Sequence, residues 1–275
     1  MIVDAHHHLW DPGVRDYPWM AGEALGPIRR PYTVDDLAAA AGPEVRASIL
    51  VQTVSSTAET EEFVAVAQSS ELVAGVVGWV DLTAPVLPRG LVGVRHQLED
   101  EPDPDWLLRA DVLSGLRAVG EAGLVYDLLV RGPQRDAAYR AAERLPEVSF
   151  VVDHAGKPGI AAGEWEPWAT WIDRIAQLSH VSCKLSGLIT EARWDAWGAG
   201  VIRPYADHVL SCFGPERVLF GSDWPVCELA GTYAEVLALA EELLDGCTLA
   251  ERRAIMGGNA VRVYRLETSD AKGSG

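Results

Sequence analysis

Cysteine is scarce in this 275-residue chain, and the four present, Cys183, Cys212, Cys227 and Cys247, include no CxxC pair. That scatter excludes a zinc knuckle or a disulfide framework, so free thiols are expected. Basic side chains are also in deficit, 23 Lys and Arg against 40 Asp and Glu, for a formal charge of −17. Nucleic acid and anionic membrane surfaces attract basic proteins, and both are therefore excluded as partners. There is no run of about 18 apolar residues to span a bilayer, and the start lacks the basic and apolar regions of a secretory leader. A soluble, cytoplasmic protein is expected. Low-complexity segments and charge blocks are missing too. With 48% hydrophobic residues the chain can fill one large core, and a single domain over 1–275 is the simplest organisation.

What the chain does contain is a series of short β-rich runs separated by helical stretches, the alternation that builds a parallel sheet. Eight such runs are found: "IVDAH" at the start, then 47–53, 72–80, 91–96, 124–130, 148–154, 181–185 and 217–223. Helices are expected in "TVDDLAAAAG", "TAETEEFVAVAQ", "DVLSGLRAVGEAG", "QRDAAYRAAERL", "EPWATWIDRIAQL" and "TYAEVLALAEELL". In the first of these, Thr33 and Asp36 have the spacing of a capping box, and Gly42 can end the helix. Eight strands, mostly each followed by a helix, predict an α/β fold of the (β/α)8 TIM-barrel type. One unit is shortened. Only "DLTAPVLPRG" separates the third and fourth strands, and Pro85 and Pro88 leave little room for a helix. An open doubly wound sheet is the second choice, but no glycine-rich phosphate fingerprint follows any strand.

Such barrels carry their chemistry at the C-terminal ends of the strands. In "IVDAHHHLW" alternate side chains of the strand share a face, so His6 and His8 project together and His7 points away. That pair is a ready pincer for a divalent metal. The other strand ends are polar as well. Gln52 ends the second, Arg95 and His96 the fourth, His154 the sixth and Asp223 the eighth, while Tyr126 and Asp127 lie in the fifth and Lys184 in the seventh. Each has an ordinary structural explanation alone: a helix cap for Asp127, an internal salt bridge for Lys184, a core histidine for His96. Together they converge on one mouth and favour a functional site.

These segments also carry a resemblance. "DAHHHLWDP", "GVRHQLEDEPDPDWL", "VVDHAGKP", "CKLSGLITEARW", "LFGSDWPV" and "MGGNAVRVYRL" occur in order over nearly the whole chain. They resemble the amidohydrolase superfamily, and within it the branch of sugar lactonases and pyrone dicarboxylate lactonase. The resemblance implies a metal or hydrolytic water held by His6, His8, His154 and Asp223. It implies no carboxylated lysine bridging two metals, because Lys184 falls in the "KLSG" pattern instead. Some members of the branch work without metal, so one divalent ion, zinc or manganese, and none at all both stay open.

Lactone opening needs a water, a group to take its proton and donors for the developing oxyanion. Asp223 is the expected base; His154, Arg95 or Lys184 would supply electrophilic stabilisation if no metal does, and the planar fork of Arg95 suits the product carboxylate. The expected substrate is a neutral sugar lactone. Of ten tryptophans, Trp10, Trp19, Trp106, Trp194 and Trp224 fall in or beside segments of the C-terminal face, where flat rings pack on sugar C–H surfaces. Gln52, His96, Tyr126 and Asp127 would pair with hydroxyls. Two rivals remain on this reading, a decarboxylase or C–C hydrolase on the same scaffold and a catalytically silent binding barrel. A homodimer is also left open.

Overall fold

The computed structural model describes residues 1–267. Eight parallel strands follow one another in chain order around the sheet: β1 (Ile2–His7), β2 (Val45–Val51), β3 (Val73–Gly78), β4 (Leu91–Gln97), β5 (Val125–Leu129), β6 (Ser149–Val152), β7 (Val181–Leu185) and β8 (Val218–Phe220). Beyond their ends the first and last strands meet. A parallel bridge pairs His7 with Trp224, Asp223 N donates to the His6 carbonyl at 2.8 Å, and His8 N donates to the Trp224 carbonyl at 2.7 Å. The fold is a (β/α)8 barrel.

The expected helices form as α1 (Val34–Ala41), α2 (Thr57–Ser69), α3 (Ala110–Glu121), α4 (Arg135–Arg144), α5 (Trp168–Ala176) and, further on, Tyr233–Leu243. Thr33 and Asp36 make the reciprocal capping box, and Gly42 ends α1 at φ 74. No helix separates β3 from β4, as the two prolines required. After β7 comes a short α6 (Leu188–Glu191) and then the longest helix among the described residues, α7 (Ala199–Phe213). That helix was not anticipated, because Gly198, Gly200 and an internal Pro204 hide its pattern. Burial of Ile202, Tyr205, Ala206, Val209 and Phe213 holds it against the barrel regardless. The chain closes with α8 (Tyr233–Leu243), α9 (Leu249–Arg253) and α10 (Asn259–Val263).

The buried residues divide into two layers. Outward-facing strand residues and the inner faces of the helices form the larger cluster. Val3, Ala5, Ile49, Val77, Val125, Val151 and Leu219 form the smaller one with Tyr264 and Leu266, so the C-terminal segment packs against the barrel interior. Within β1, Val3 and Ala5 share that interior layer, and strict alternation would turn His6 away from it. A register shift between Asp4 and His7 in the pairing with β2 resets the phase and brings His6 and His8 to the centre. No helix of the described residues is long and apolar enough to cross a membrane.

Candidate active site

Four groups converge at the end of the barrel where the strands finish. His6 Nε2 and His8 Nε2 are 3.1 Å apart, and Asp223 Oδ1 lies 3.9, 3.6 and 3.9 Å from the Nε2 atoms of His6, His8 and His154. The edge of a zinc tetrahedron with Zn–N bonds near 2.0 Å is about 3.3 Å, so the His6, His8 and Asp223 atoms stand close to the corners of one coordination shell, with His154 grouped beside His6 and Asp223. His8 is oriented for it. Its Nδ1 donates to the Val51 carbonyl at 2.7 Å, which in the neutral ring leaves the Nε2 lone pair facing the centre. His154 Nδ1 meets Ser186 Oγ at 2.9 Å, and a hydroxyl can serve either tautomer. His154 Nε2 can therefore be a metal ligand or an N–H donor.

Local backbone conformation delivers these groups. His154, Ala155, Gly156 and Lys157 all have positive φ, and so does Asp223 at 57°. Left-handed conformations cost about 1–2 kcal/mol each for residues with a Cβ, and their clustering here marks a built site. Gly187, at φ 62, leaves room for two of the four: a Cβ on it would stand 2.7 Å from His154 Nδ1 and 3.0 Å from Asp223 Oδ2. Asp4 ties the first strand to the last turn. Its Oδ1 accepts from His6 N (3.0 Å) and Ser222 N (2.8 Å), and its Oδ2 accepts from Ser222 Oγ (2.6 Å) and Tyr233 Oη (3.0 Å).

Beneath the cluster lies a second, fully buried group of charges. Lys184 Nζ sits 2.6 Å from Asp127 Oδ2, 2.9 Å from Asp153 Oδ1 and 3.1 Å from His6 Nδ1. Tyr264 Oη donates to the other oxygen of Asp127 at 2.7 Å. Arg95 Nη1 donates to Asp153 Oδ2 at 3.0 Å and approaches His6 Nε2 at 3.3 Å, while Nη2 donates to the carbonyl and the side-chain oxygen of Gln52. Burial alone would raise the Asp153 carboxyl, but Lys184, His6 and Arg95 hold it well below the usual carboxylate range. Burial raises Asp127 to about 6 in spite of Lys184. Burial also pushes His6 well down and His154 to about 4, against the pull of nearby carboxylates. For Asp223 burial acts upward, and the adjoining His154 and His8 outweigh it to lower the carboxyl. The result is neutral His6 and His154 rings beside an ionised Asp223.

A cavity of about 280 Å³ opens above, and its lining includes His8, Arg95, His154 and Asp223. Several residues expected there take other places. Lys184 and Asp127 are fully buried below it, and Gln52 is buried as the partner of Arg95. Arg95 lines the cavity, but both its terminal nitrogens are already engaged by protein. Tyr126 and His96 point outward, because Arg95 and Asp127 take the inward positions of their strands. Tyr126 packs edge-on against Phe150, and His96 stacks on Trp106 at 4.2 Å between Trp79 and Glu101. Trp10 and Trp224 are buried, the first against Trp19 and Tyr32, the second with Nε1 donating to Glu228. Trp19 and Trp194 do line the cavity. So do Thr53, Glu99, Arg131, Lys157 and Glu191, which sequence reasoning did not single out. Asp4 and Asp153 were missed as well, although each stands inside a quoted motif directly beside the histidines.

A (β/α)8 barrel with three histidines and an aspartate converging at its C-terminal mouth defines the class: a metal-competent barrel enzyme. Comparison with known proteins makes the class specific. Residues 3–266 match the model of the amidohydrolase family, and the chain belongs to that family. It is 39% identical to an L-fucono-1,5-lactonase of Burkholderia multivorans, over 98% of each chain. A second L-fucono-1,5-lactonase, from Burkholderia ambifaria, is 34% identical over 96% of each. A crystal structure of an amidohydrolase from Burkholderia multivorans with bound zinc superimposes with a TM-score of 0.91 at 37% identity, covering 97% of this chain and all of that one.

Proposed function

We propose that this protein hydrolyses a sugar-derived lactone to its hydroxy acid, with Asp223 as general base. The observation that carries the reading is the placement of the Asp223 carboxylate at the cavity floor, 3.6–3.9 Å from the Nε2 atoms of His6, His8 and His154, of which burial keeps His6 and His154 neutral. The likeness to two lactonases over almost the whole chain supports the choice of substrate class. The same reading takes the chain as one catalytic domain acting in the cytoplasm on a small molecule.

His6, His154 and Asp223 form one metal-competent group, and His8 Nε2, its tautomer fixed through Nδ1, stands 3.1 Å from His6 Nε2 and 3.6 Å from Asp223 Oδ1, so the four would hold a single divalent ion, zinc or manganese. Such an ion would supply Lewis-acid polarisation of the lactone carbonyl. The protein's own groups account for the proton transfers. Asp223 accepts a proton from water as the water oxygen bonds to the carbonyl carbon. The same carboxyl then gives that proton to the ring oxygen as the ring C–O bond breaks, and the new carboxylic acid ionises in solvent. Where the ion is held by His6, His8 and Asp223 alone, or is absent, His154 in the tautomer that carries its proton on Nε2 donates toward the oxyanion of the tetrahedral intermediate. Lys184 and Asp153 act from below by holding the His6 ring, and Arg95 by holding Asp153.

A proton-release assay over a panel of aldonolactones, with and without added zinc or manganese, tests the reading. Turnover of five- or six-carbon aldonolactones well above that of pyrone dicarboxylate is the expected result. Decarboxylation of an aromatic acid with no lactone hydrolysed would replace it with the rival chemistry.

A further inference from the structure

One side of the cavity mouth carries four charged side chains from four successive strand ends: Glu99 after β4, Arg131 after β5, Lys157 after β6 and Glu191 in α6 after β7. They close into a ring. Lys157 Nζ is 3.0 Å from Glu99 Oε2 and 3.8 Å from Glu191 Oε1, and Arg131 reaches the same two acids at 2.9 and 3.3 Å. Each cation touches both carboxylates, and the four charges cancel. Structural ion pairs of this kind normally sit on a solvated surface, where they contribute little. Here Arg131 is half-exposed at the rim, but Glu99, Lys157 and Glu191 are largely buried, the ring lines the same cavity as His154 and Asp223, and Lys157 reaches it from a left-handed backbone position at φ 52. Trp19, Leu25, Trp194, Val226 and Leu229 supply apolar surface to the same cavity.

We propose that the Glu99–Lys157–Glu191–Arg131 ring is a hydroxyl-recognition subsite that selects uncharged, polyhydroxylated lactones. The assignment deepens the lactonase reading and rests on it. Carboxylates held ionised by paired cations are strong acceptors for sugar O–H groups. Burial acts to raise the Glu99 carboxyl, yet Lys157 and Arg131 keep it below the usual carboxylate range. Lys157 has three N–H donors and two acidic neighbours, so one donor remains for a hydroxyl oxygen. A ligand bearing extra carboxylates would face Glu99 and Glu191 together with the cations, and would gain no net attraction. A ligand without hydroxyls would cover these charges and leave them unsatisfied, which is the stronger form of discrimination.

The test is a coupling measurement between protein and substrate groups. kcat/KM is measured for an aldonolactone and for deoxy analogues lacking one ring hydroxyl each, in the wild type, in Glu99→Gln and in Glu191→Gln. In the wild type, loss of a contacted hydroxyl should lower kcat/KM about 10- to 100-fold, and the same loss should cost little in the variant that has given up its carboxylate. A purely structural ring would make the two losses multiply for every hydroxyl, and that result overturns the proposal. Each variant gives an independent cycle, so one that fails to fold leaves the other decisive. If the wild type turns over no aldonolactone, the lactonase reading itself fails and the subsite falls with it.

Discussion

Lys184 Nζ lies 2.6 Å from Asp127 Oδ2, with both side chains wholly buried under His6. A buried ion pair is costly to break because the remaining partner keeps its charge without solvent. Lys184→Met would leave Asp127 and Asp153 as neighbouring carboxylates with only Arg95 for compensation. Unfolding by urea should show a loss of about 3–5 kcal/mol. A loss under about 1 kcal/mol would mean that water already reaches the pair.

The same ammonium limits metal content. Two further sets of potential ligands occur among the described residues: Asp173, His208 and Cys212 lie outside the barrel mouth at the surface, and His6, Asp127 and Asp153 lie beneath it, where Lys184 already supplies the positive charge. Elemental analysis of metal-loaded protein should find one divalent ion per chain. His8→Ala should weaken its retention about tenfold or more. Two tightly held ions per chain would contradict the arrangement.

Asp223→Asn preserves shape while removing the proton acceptor. Turnover should fall by about 10² to 10⁴ with an unchanged circular dichroism spectrum. A variant retaining more than about a tenth of wild-type kcat would transfer the base role to another residue.

Two glycines separate backbone strain from crowding. Gly163 and Gly187 have φ of 67° and 62°, yet a Cβ at Gly163 meets nothing within 4 Å, whereas one at Gly187 meets His154 and Asp223. Gly163→Ala should lose about 1 kcal/mol of stability and keep full activity. Gly187→Ala should carry that cost and lose most of its turnover as well. Equal activity in the two variants would show that His154 and Asp223 can shift without consequence.

Glu99 has its carboxyl lowered by Lys157 and Arg131 in the folded protein. A depressed carboxylate contributes stability above its unfolded pKa and loses it as pH falls through the folded value. Between those two values the unfolded chain binds the extra proton, so the stability curve slopes upward with pH there. The stability difference between wild type and Glu99→Gln should therefore be constant near neutrality and shrink below about pH 4.5. A difference independent of pH down to 3 would show that the ring does not hold this charge.

How far the molecule could be read from its sequence depended on which signals are periodic. All eight strands and the vestigial third connection were legible, because β-rich runs and prolines act locally. His6, His8, His154 and Asp223 could be placed at one mouth because strand ends of a barrel must meet, but it was the resemblance to the amidohydrolases that singled them out from the other polar strand residues. Tyr126 and His96 were misplaced by treating every polar strand residue as inward. Once Asp127 and Arg95 face the interior, alternation sends their neighbours outward. Trp10 and Trp224 were misplaced because composition does not distinguish a tryptophan packed under a loop from one at its rim. Glu99, Arg131, Lys157 and Glu191 come from loops, where no period marks a side chain's direction, and only the folded backbone brings them together.

Asp4 and the bridge between His7 and Trp224 join the first strand to the turn after the last, and the metal-competent cluster straddles that seam. A growing chain therefore exposes its histidine pair from the outset but has no counterpart for it until the eighth strand docks. Partly assembled barrels, however native in their first seven units, lack Asp223 beside the histidines and should be chemically silent. Activity should then report ring closure, and a lesion along the seam should abolish function before it abolishes secondary structure.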